Sequence, residues 1–348
     1  MDIPKKQTNK RSANSLINGI SFQYAAAILI FIKEMKNVRA VGIEDTEDIR
    51  ILLKDNTNIY AQAKSSLEPD PLYNNSHLST DIKKSMETLY ENKDNDANKL
   101  ISIFNYHNPF GEQPTFNDTR HMVKTYTDLT SVLKEKIKNF CNNDQEMLNK
   151  LEFWFLRFED SSDHYSDLIS EVEKYIKKID SSNIYTSDLV NTWRALMENN
   201  GSNKKKLVDF NIIIGSIFSH ILVNSIRFDD VYDIISSDEI DFLGIEKMSK
   251  IFNEKLRNLV SFEEYANVLG VFSKFRQENP TLLRNKNLLY KEFANFHVTV
   301  VDDNIIKMFE DDDMPETLAL LFSKSLSVAY AMKSDVIRKV KEVFEYEN

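Results

Sequence analysis

Between Ile43 and Lys64 the chain reads IEDTEDIRILLKDNTNIYAQAK, which sets carboxylate, amide and ammonium side chains around two short apolar runs. Ile49 to Leu53 is β-branched and aliphatic, KDNTN is a polar cluster that turns a chain, and Ile59 to Lys64 is a second strand. Side chains alternate faces along a strand, so Tyr60, Gln62 and Lys64 share one face while Ile59, Ala61 and Ala63 share the other. Pairing across the turn brings Asp48, at the start of the first strand, within side-chain reach of Gln62 and Lys64. A carboxylate, a neutral oxygen and a cation at one place suit phosphodiester hydrolysis. That reaction needs an oxygen-bound divalent cation and a group that orients the attacking water. Asp48 and Gln62 supply the oxygens and Lys64 the donor. The plainer alternative is a half-exposed hairpin whose outward face is merely polar, and spacing alone does not separate the two.

The elements that must hold this hairpin are legible on either side of it. A helix over about Ser15 to Lys36 is apolar almost all round in its middle, which implies burial between a sheet and other helices. Gln23 is the polar exception, serving either a buried backbone group or the edge of the site. Strands follow at about Arg39 to Glu44 and Asp48 to Leu53, and then comes the QAK strand. Ser65 to Ser79, with Pro69 and Pro71, reads as a loop. Asp81 to Tyr90 is helical, with Ile82, Met86 and Leu89 on one face, and Lys99 to Tyr106 is strand-like. The order is αβββαβ. Beyond it, Tyr126, Leu129, Leu133 and Ile137 mark a helix over Thr119 to Phe140, and Leu151 to Phe158 reads as a buried strand or a short helix, with a strand at the sheet edge the favoured reading. Helices over Asp167 to Ile179 and Thr186 to Met197 lead to a polar linker, Asn199 to Lys206. From Leu207 onward nearly everything reads as helix, ending in a pair between Pro315 and Phe344, with one lone strand at Val298 to Val301. The expected fold class is α/β, with an α/β domain at 1–200 and a mostly α-helical domain at 201–348.

In these residues the chain resembles the metal core of the PD-(D/E)XK nuclease superfamily, in the variant with Gln in place of the Glu of E-x-K. More narrowly, Gly19-Ile20-Ser21-Phe22-Gln23-Tyr24 opens an apolar helix, and Glu44, Glu47-Asp48-Ile49 and Gln62-Ala63-Lys64-Ser65 follow. This series is similar to the double-stranded DNA endonuclease domain of CBASS anti-phage effectors and to the nuclease subunit of Lamassu-type defence systems. The resemblance implies a restriction-endonuclease-like domain. Asp48 would be the principal ligand of Mg²⁺ or Mn²⁺, Gln62 the second ligand and Lys64 the catalytic lysine. Glu44 would complete the catalytic group, with Gln23 and Glu47 accessory. The activity implied is cleavage of double-stranded DNA by direct attack of water on phosphorus, in an effector subunit of an anti-phage or anti-plasmid complex. One site cuts one strand, so a double-strand break requires self-association or a second event. Partners implied are an SMC-type ATPase and an accessory subunit, docked on the helical domain. That domain is too small for a second-messenger sensor, so cyclic-nucleotide control is not expected. The chain departs from the family pattern twice: Glu47 stands where a proline precedes the acid, and Gln62 is a weaker ligand than a carboxylate. Two rivals follow, a catalytically weak or inactive nuclease-fold interaction subunit of an SMC-like complex, and a mostly helical scaffold without the hairpin.

Composition narrows the classes further. The 348 residues are 42% hydrophobic and 28% charged, an ordinary globular balance large enough for two domains. The one cysteine, Cys141, excludes an intramolecular disulfide or a multi-cysteine zinc site and fits a reducing cytoplasm. A net charge of −10 argues against indiscriminate coating of nucleic acid. Phosphate contact then falls to local groups such as Lys5, Lys6, Lys10 and Arg11 or Lys204 to Lys206, unless these are only a solvated tail and linker. The apolar run Tyr24 to Ile32 is too short to span a bilayer and lacks a cleavage site, so no membrane segment is expected. His107, His121 and His164 read as surface residues, and Asp302-Asp303 and Glu310 to Asp313 as solvated acid without EF-hand spacing. The phosphate-loop, dinucleotide, serine-hydrolase and zinc-peptidase motifs are all missing.

Overall fold

The structure is a computed structural model that describes residues 8–43, 47–66, 75–93, 96–110, 116, 122–157, 165–179, 186–201, 207–235, 242–257 and 262–344. The chain divides into two compact units, residues 1–174 with 190–210, and residues 175–189 with 211–348. The sequence-based division fell at 200.

The first unit is mixed α/β. Its described elements begin with α1 (Thr8–Glu34), β1 (Val38–Ile43), β2 (Ile49–Leu53), β3 (Asn58–Lys64), α2 (Asn75–Glu91) and β4 (Ala97–Phe104). They continue with β5 (Val123–Thr125), α3 (Ser131–Phe140), α4 (Gln145–Lys150) and β6 (Leu151–Phe155). The N-terminal part of α5 (Ser166–Ile179), the C-terminal part of α6 (Thr186–Gly201) and β7 (Val208–Asp209) complete the unit. The strands form one sheet in the order β5-β6-β4-β3-β2-β1-β7. β1, β2 and β3 form an antiparallel meander, and β3, β4 and β6 run parallel. The β2–β3 turn is where the sequence placed it. Asp55 accepts from the Thr57 N–H (2.9 Å) and hydroxyl (2.6 Å), and Asn56 takes the left-handed conformation (φ 67°) that asparagine tolerates. The hairpin is present, which sets aside the mostly helical scaffold without it.

Register assigns the two faces. Ile49 pairs with Ala61 and Ile51 with Ile59, so these apolar side chains share a face, with Lys99 beside Ile59 on β4. Lys99 pairs with Glu34 of α1 and with Glu152 of β6, which shows that α1 covers that face. On the opposite face Tyr60, Leu100, Phe104, Phe153 and Phe155 form one core with Ile82, Met86 and Leu89 of α2 and Ile137 of α3. Gln62 and Lys64 therefore lie on the α2 side, at the carboxyl end of β3.

α1 has a longer apolar stretch than its central run suggests: Leu16–Glu34 is long and apolar enough to cross a membrane. Its apolar residues from Phe22 to Ile32 are nevertheless buried in the unit's own core, with Phe31 edge-on to Trp193 at 5.6 Å. The joined helices α7 (Phe210–Ser225) and α8 (Phe228–Ile235) meet the same length test only as a pair bent by 82°.

Four further expectations are corrected. The helix over Thr119 to Phe140 is only α3 in its described part. Asp128 bonds back to Thr125 and Thr130 caps Leu133, so cap chemistry breaks the apolar period into a short strand, a turn and a helix. Leu151–Phe155 is a strand but not the edge, because β5 pairs outside it. Asn199 to Gly201 belong to the last turn of α6, and residues 202–206 lie outside the described residues. His107 is half-buried and stacked on Phe155 at 4.3 Å; His121 and His164 lie outside the described residues.

The second unit is helical in its described residues. α7 and α8 are followed by α9 (Phe242–Arg257), α10 (Phe262–Glu278), α11 (Lys286–His297), α12 (Asp303–Lys307), α13 (Pro315–Met332) and α14 (Ser334–Phe344). α13 lies against α8, α9, α10, α11, α12 and α14. Its buried serines 323, 325 and 327 donate to carbonyls one turn back, which satisfies their hydroxyls inside the core. Val298 to Val301 is irregular rather than a strand. Among the described residues this unit offers no strand to pair with, and Asp302 caps α12 directly afterwards.

Candidate active site

Asp48 ends the bend before β2, and β3 delivers Gln62 and Lys64 on one face two residues apart. The antiparallel register does the rest. Asp48 Oδ2 accepts from the backbone N–H of Ala63 at 2.9 Å, which anchors the carboxylate against β3. Lys64 Nζ donates to Gln62 Oε1 at 2.8 Å and lies 3.4 Å from Asp48 Oδ2. The ammonium thus bridges the two oxygens that the sequence singled out. Lys64 keeps 30% of its side-chain surface exposed and Asp48 16%, so the group is open to a ligand on one side.

Behind it lies a second layer. Glu47 is buried, and its two oxygens accept from the amide nitrogens of Gln62 and of Asn92, the residue just past α2. An ionised carboxylate only accepts and an ammonium only donates. The Lys64 ammonium therefore requires the Gln62 oxygen on its side, and Glu47, where it is ionised, requires the amide nitrogen on its own. Burial pushes the Glu47 carboxyl up to about 7, with the Asp48 charge adding to the rise; the amide hydrogen bonds and the Lys64 charge oppose it. Just past Lys64, the buried side chain of Asn105 holds both backbone groups of Ser66, at 2.7 and 2.8 Å, and so fixes the chain where it leaves β3.

Of the residues named from the sequence, Asp48, Gln62, Lys64 and Glu47 come together. Gln23 sits on α1, on the other side of the sheet. Its Oε1 is buried without a hydrogen-bond partner, and no described contact joins it to the group. Glu44 lies outside the described residues. Asn92 and Asn105 escaped sequence reading. Asn92 is a single asparagine just past a helix, where a capping role is the ordinary expectation, and Asn105 a single asparagine just past β4.

The donor set fits a hard divalent cation. Mg²⁺ takes oxygen ligands and is commonly held by one or two protein groups, with water and substrate phosphate completing the shell. Asp48 offers a carboxylate and Gln62 an amide oxygen, both contacted by Lys64 Nζ. Among the described residues, which do not include Glu44, no three His, Cys, Asp or Glu side chains gather into a metal group. The second unit carries a cavity of about 370 Å³ lined by Lys247, Lys250, Ile251, Glu254, Lys255 and Met308. No protein-family model, curated protein or solved structure matches the chain.

Proposed function

We propose that this chain is a Mg²⁺- or Mn²⁺-dependent endonuclease acting on double-stranded DNA, with a PD-(D/E)XK-type site in its first unit. The observation that carries this reading is the convergence of Asp48, Gln62 Oε1 and Lys64 Nζ at the end of the β2–β3 hairpin. The αβββαβ order and the position of the group at the carboxyl end of β3 support it.

Asp48 and Gln62 would hold the cation. The chemistry it would supply there is Lewis acidity, polarising the scissile phosphate and easing loss of a proton from the attacking water. Lys64 then leaves the two oxygens it now bridges and turns its ammonium to a non-bridging phosphate oxygen or to the water. There it orients the attack and offsets the charge that grows on the phosphoryl group. Water adds to phosphorus and gives up a proton to solvent, the ester bond to the leaving oxygen breaks and that oxygen takes a proton from solvent, and no covalent enzyme intermediate forms. Because one site cuts one strand, a double-strand break requires two copies or two visits.

The wider setting goes with this reading: a cytoplasmic effector of an anti-phage or anti-plasmid defence complex. Its helical second unit would dock an SMC-type ATPase and an accessory subunit. The alternative, a catalytically weak or inactive nuclease-fold subunit of such a complex, is favoured by one feature, the neutral oxygen of Gln62 where a second carboxylate would bind more tightly. Supercoiled plasmid incubated with the purified chain and Mg²⁺ or Mn²⁺ decides between them. The nuclease reading expects nicked and then linear DNA, lost in Lys64→Ala. Plasmid left intact by wild type at high protein supports the inactive subunit.

A further inference from the structure

We propose that Glu47 and Asn92 are positioning residues that set which end of the Gln62 amide faces Asp48, so that their hydrogen bonds decide whether the site presents an oxygen or an N–H to a cation. The inference rests on the reading of Asp48 and Gln62 as the cation ligands.

An amide side chain is nearly symmetric in shape and opposite in chemistry at its two ends. A glutamine used as a ligand therefore needs a device that prevents it from turning over, which a carboxylate ligand does not. Here the device is a buried acceptor, Glu47, whose two oxygens take the amide nitrogens of Gln62 and Asn92. Asn92 is steadied in turn by a contact of its nitrogen with the Thr88 carbonyl at 3.5 Å, near the end of α2. A chain of polar contacts thus runs from α2 through Asn92, Glu47 and Gln62 to Lys64. The residue that departs from the family pattern before Asp48 and the residue that departs from it on β3 are bonded to each other.

This geometry makes Glu47→Gln an unusual lesion. The new amide can accept from Asn92 through its oxygen, but its nitrogen then faces Gln62. Gln62 satisfies it only by turning over, which keeps position 47 bonded to Gln62 and Asn92 but gives up the bond from Lys64 Nζ to Gln62 Oε1 and swings an NH₂ group towards Asp48 and Lys64. The exchange variant, Glu47→Gln with Gln62→Glu, repairs the site. The glutamine at 47 accepts from Asn92 and donates to the new glutamate, whose other oxygen faces the cation.

The test is Mn²⁺ titration of the full chain at pH 8, read by the electron paramagnetic resonance signal of free Mn²⁺, with circular dichroism as the check on folding. Loss of a residue that orients a ligand weakens metal binding by about 10- to 100-fold. Glu47→Gln is expected to weaken Mn²⁺ binding by that factor while remaining folded, and the exchange variant to bind at least as tightly as wild type. Equal binding by wild type and Glu47→Gln overturns the inference, as does an exchange variant no better than the single one. Plasmid cleavage, measured separately, tells the two levels apart. A wild type that binds Mn²⁺, shows the loss and the rescue, and leaves DNA intact sinks the nuclease reading alone. A wild type that cuts DNA with Glu47→Gln unimpaired in Mn²⁺ binding sinks the positioning role alone. A wild type that binds no Mn²⁺ removes both.

Discussion

Replacing Glu47 by glutamine should flatten the pH dependence of the first unit's stability. Burial raises the folded-state pKa of this carboxyl from 4.5 to about 7. An acid whose pKa is raised by folding holds its proton more tightly in the folded than in the unfolded chain, so its ionisation opposes folding. The penalty is absent below pH 4.5, grows between 4.5 and 7, and is complete above 7. At about 1.4 kcal/mol per pKa unit the full span is roughly 3 kcal/mol, and between pH 5 and 8 some 2–3 kcal/mol of it appears. The chain has two tryptophans, Trp154 and Trp193, both buried in the first unit, so their fluorescence during urea unfolding reports this unit. With a chelator present, wild type should lose roughly 2–3 kcal/mol more than Glu47→Gln over that range. Any constant cost of the substitution itself cancels in the comparison. Parallel pH curves for the two proteins would refute the argument and show that Glu47 is better solvated than its surroundings imply.

Other consequences are simpler to read. Because the Lys64 ammonium now bridges the two oxygen donors, Lys64→Ala should bind Mn²⁺ at least as tightly as wild type yet cut plasmid at least about 100-fold more slowly; weaker Mn²⁺ binding would make Lys64 structural. Asp48→Asn should lose both binding and cleavage, since it removes the one carboxylate among the two oxygen donors. Phe31→Ala should destabilise the first unit by about 3–5 kcal/mol in the same fluorescence assay, because this fully buried ring packs on Trp193 and Phe210. A cost below about 1 kcal/mol would show that α1 is not the core helix described. Cys141 is buried, and burial pushes its thiol up to about 12, so a thiol reagent should label it only in denaturant; rapid labelling of native protein would contradict that packing.

The hairpin was legible because its signals agree. IRILL and NIYAQAK are apolar at alternate positions, and Asp55 to Thr57 carry turn chemistry, so period and turn select one register. That register is what brings Asp48 to Gln62 and Lys64, and hence the triad could be read before any coordinates. α2 and β4 were legible for the same reason, one by a 3.6-residue period and the other by a continuous apolar run. The stretch before Phe140 was not. Tyr126, Leu129, Leu133 and Ile137 keep helical spacing across a break that only the Thr125–Asp128 and Thr130 caps reveal. β7 was missed because two residues pairing with β1 leave no periodic signature. The clamp on Gln62 was beyond reach for another reason. Asn92 meets Glu47 through a contact 45 residues apart in the chain, and nothing local in either residue announces it.

The central claim is that the Asp48 carboxylate and the Gln62 oxygen jointly hold a divalent cation beside Lys64. Crystals of the full chain grown with Mn²⁺ and measured at an anomalous wavelength test it most directly. The account requires an anomalous peak coordinated by both Asp48 and Gln62 Oε1, with Lys64 Nζ displaced from between them. A Lys64 still bridging those oxygens, with no peak at them under saturating Mn²⁺, would contradict it.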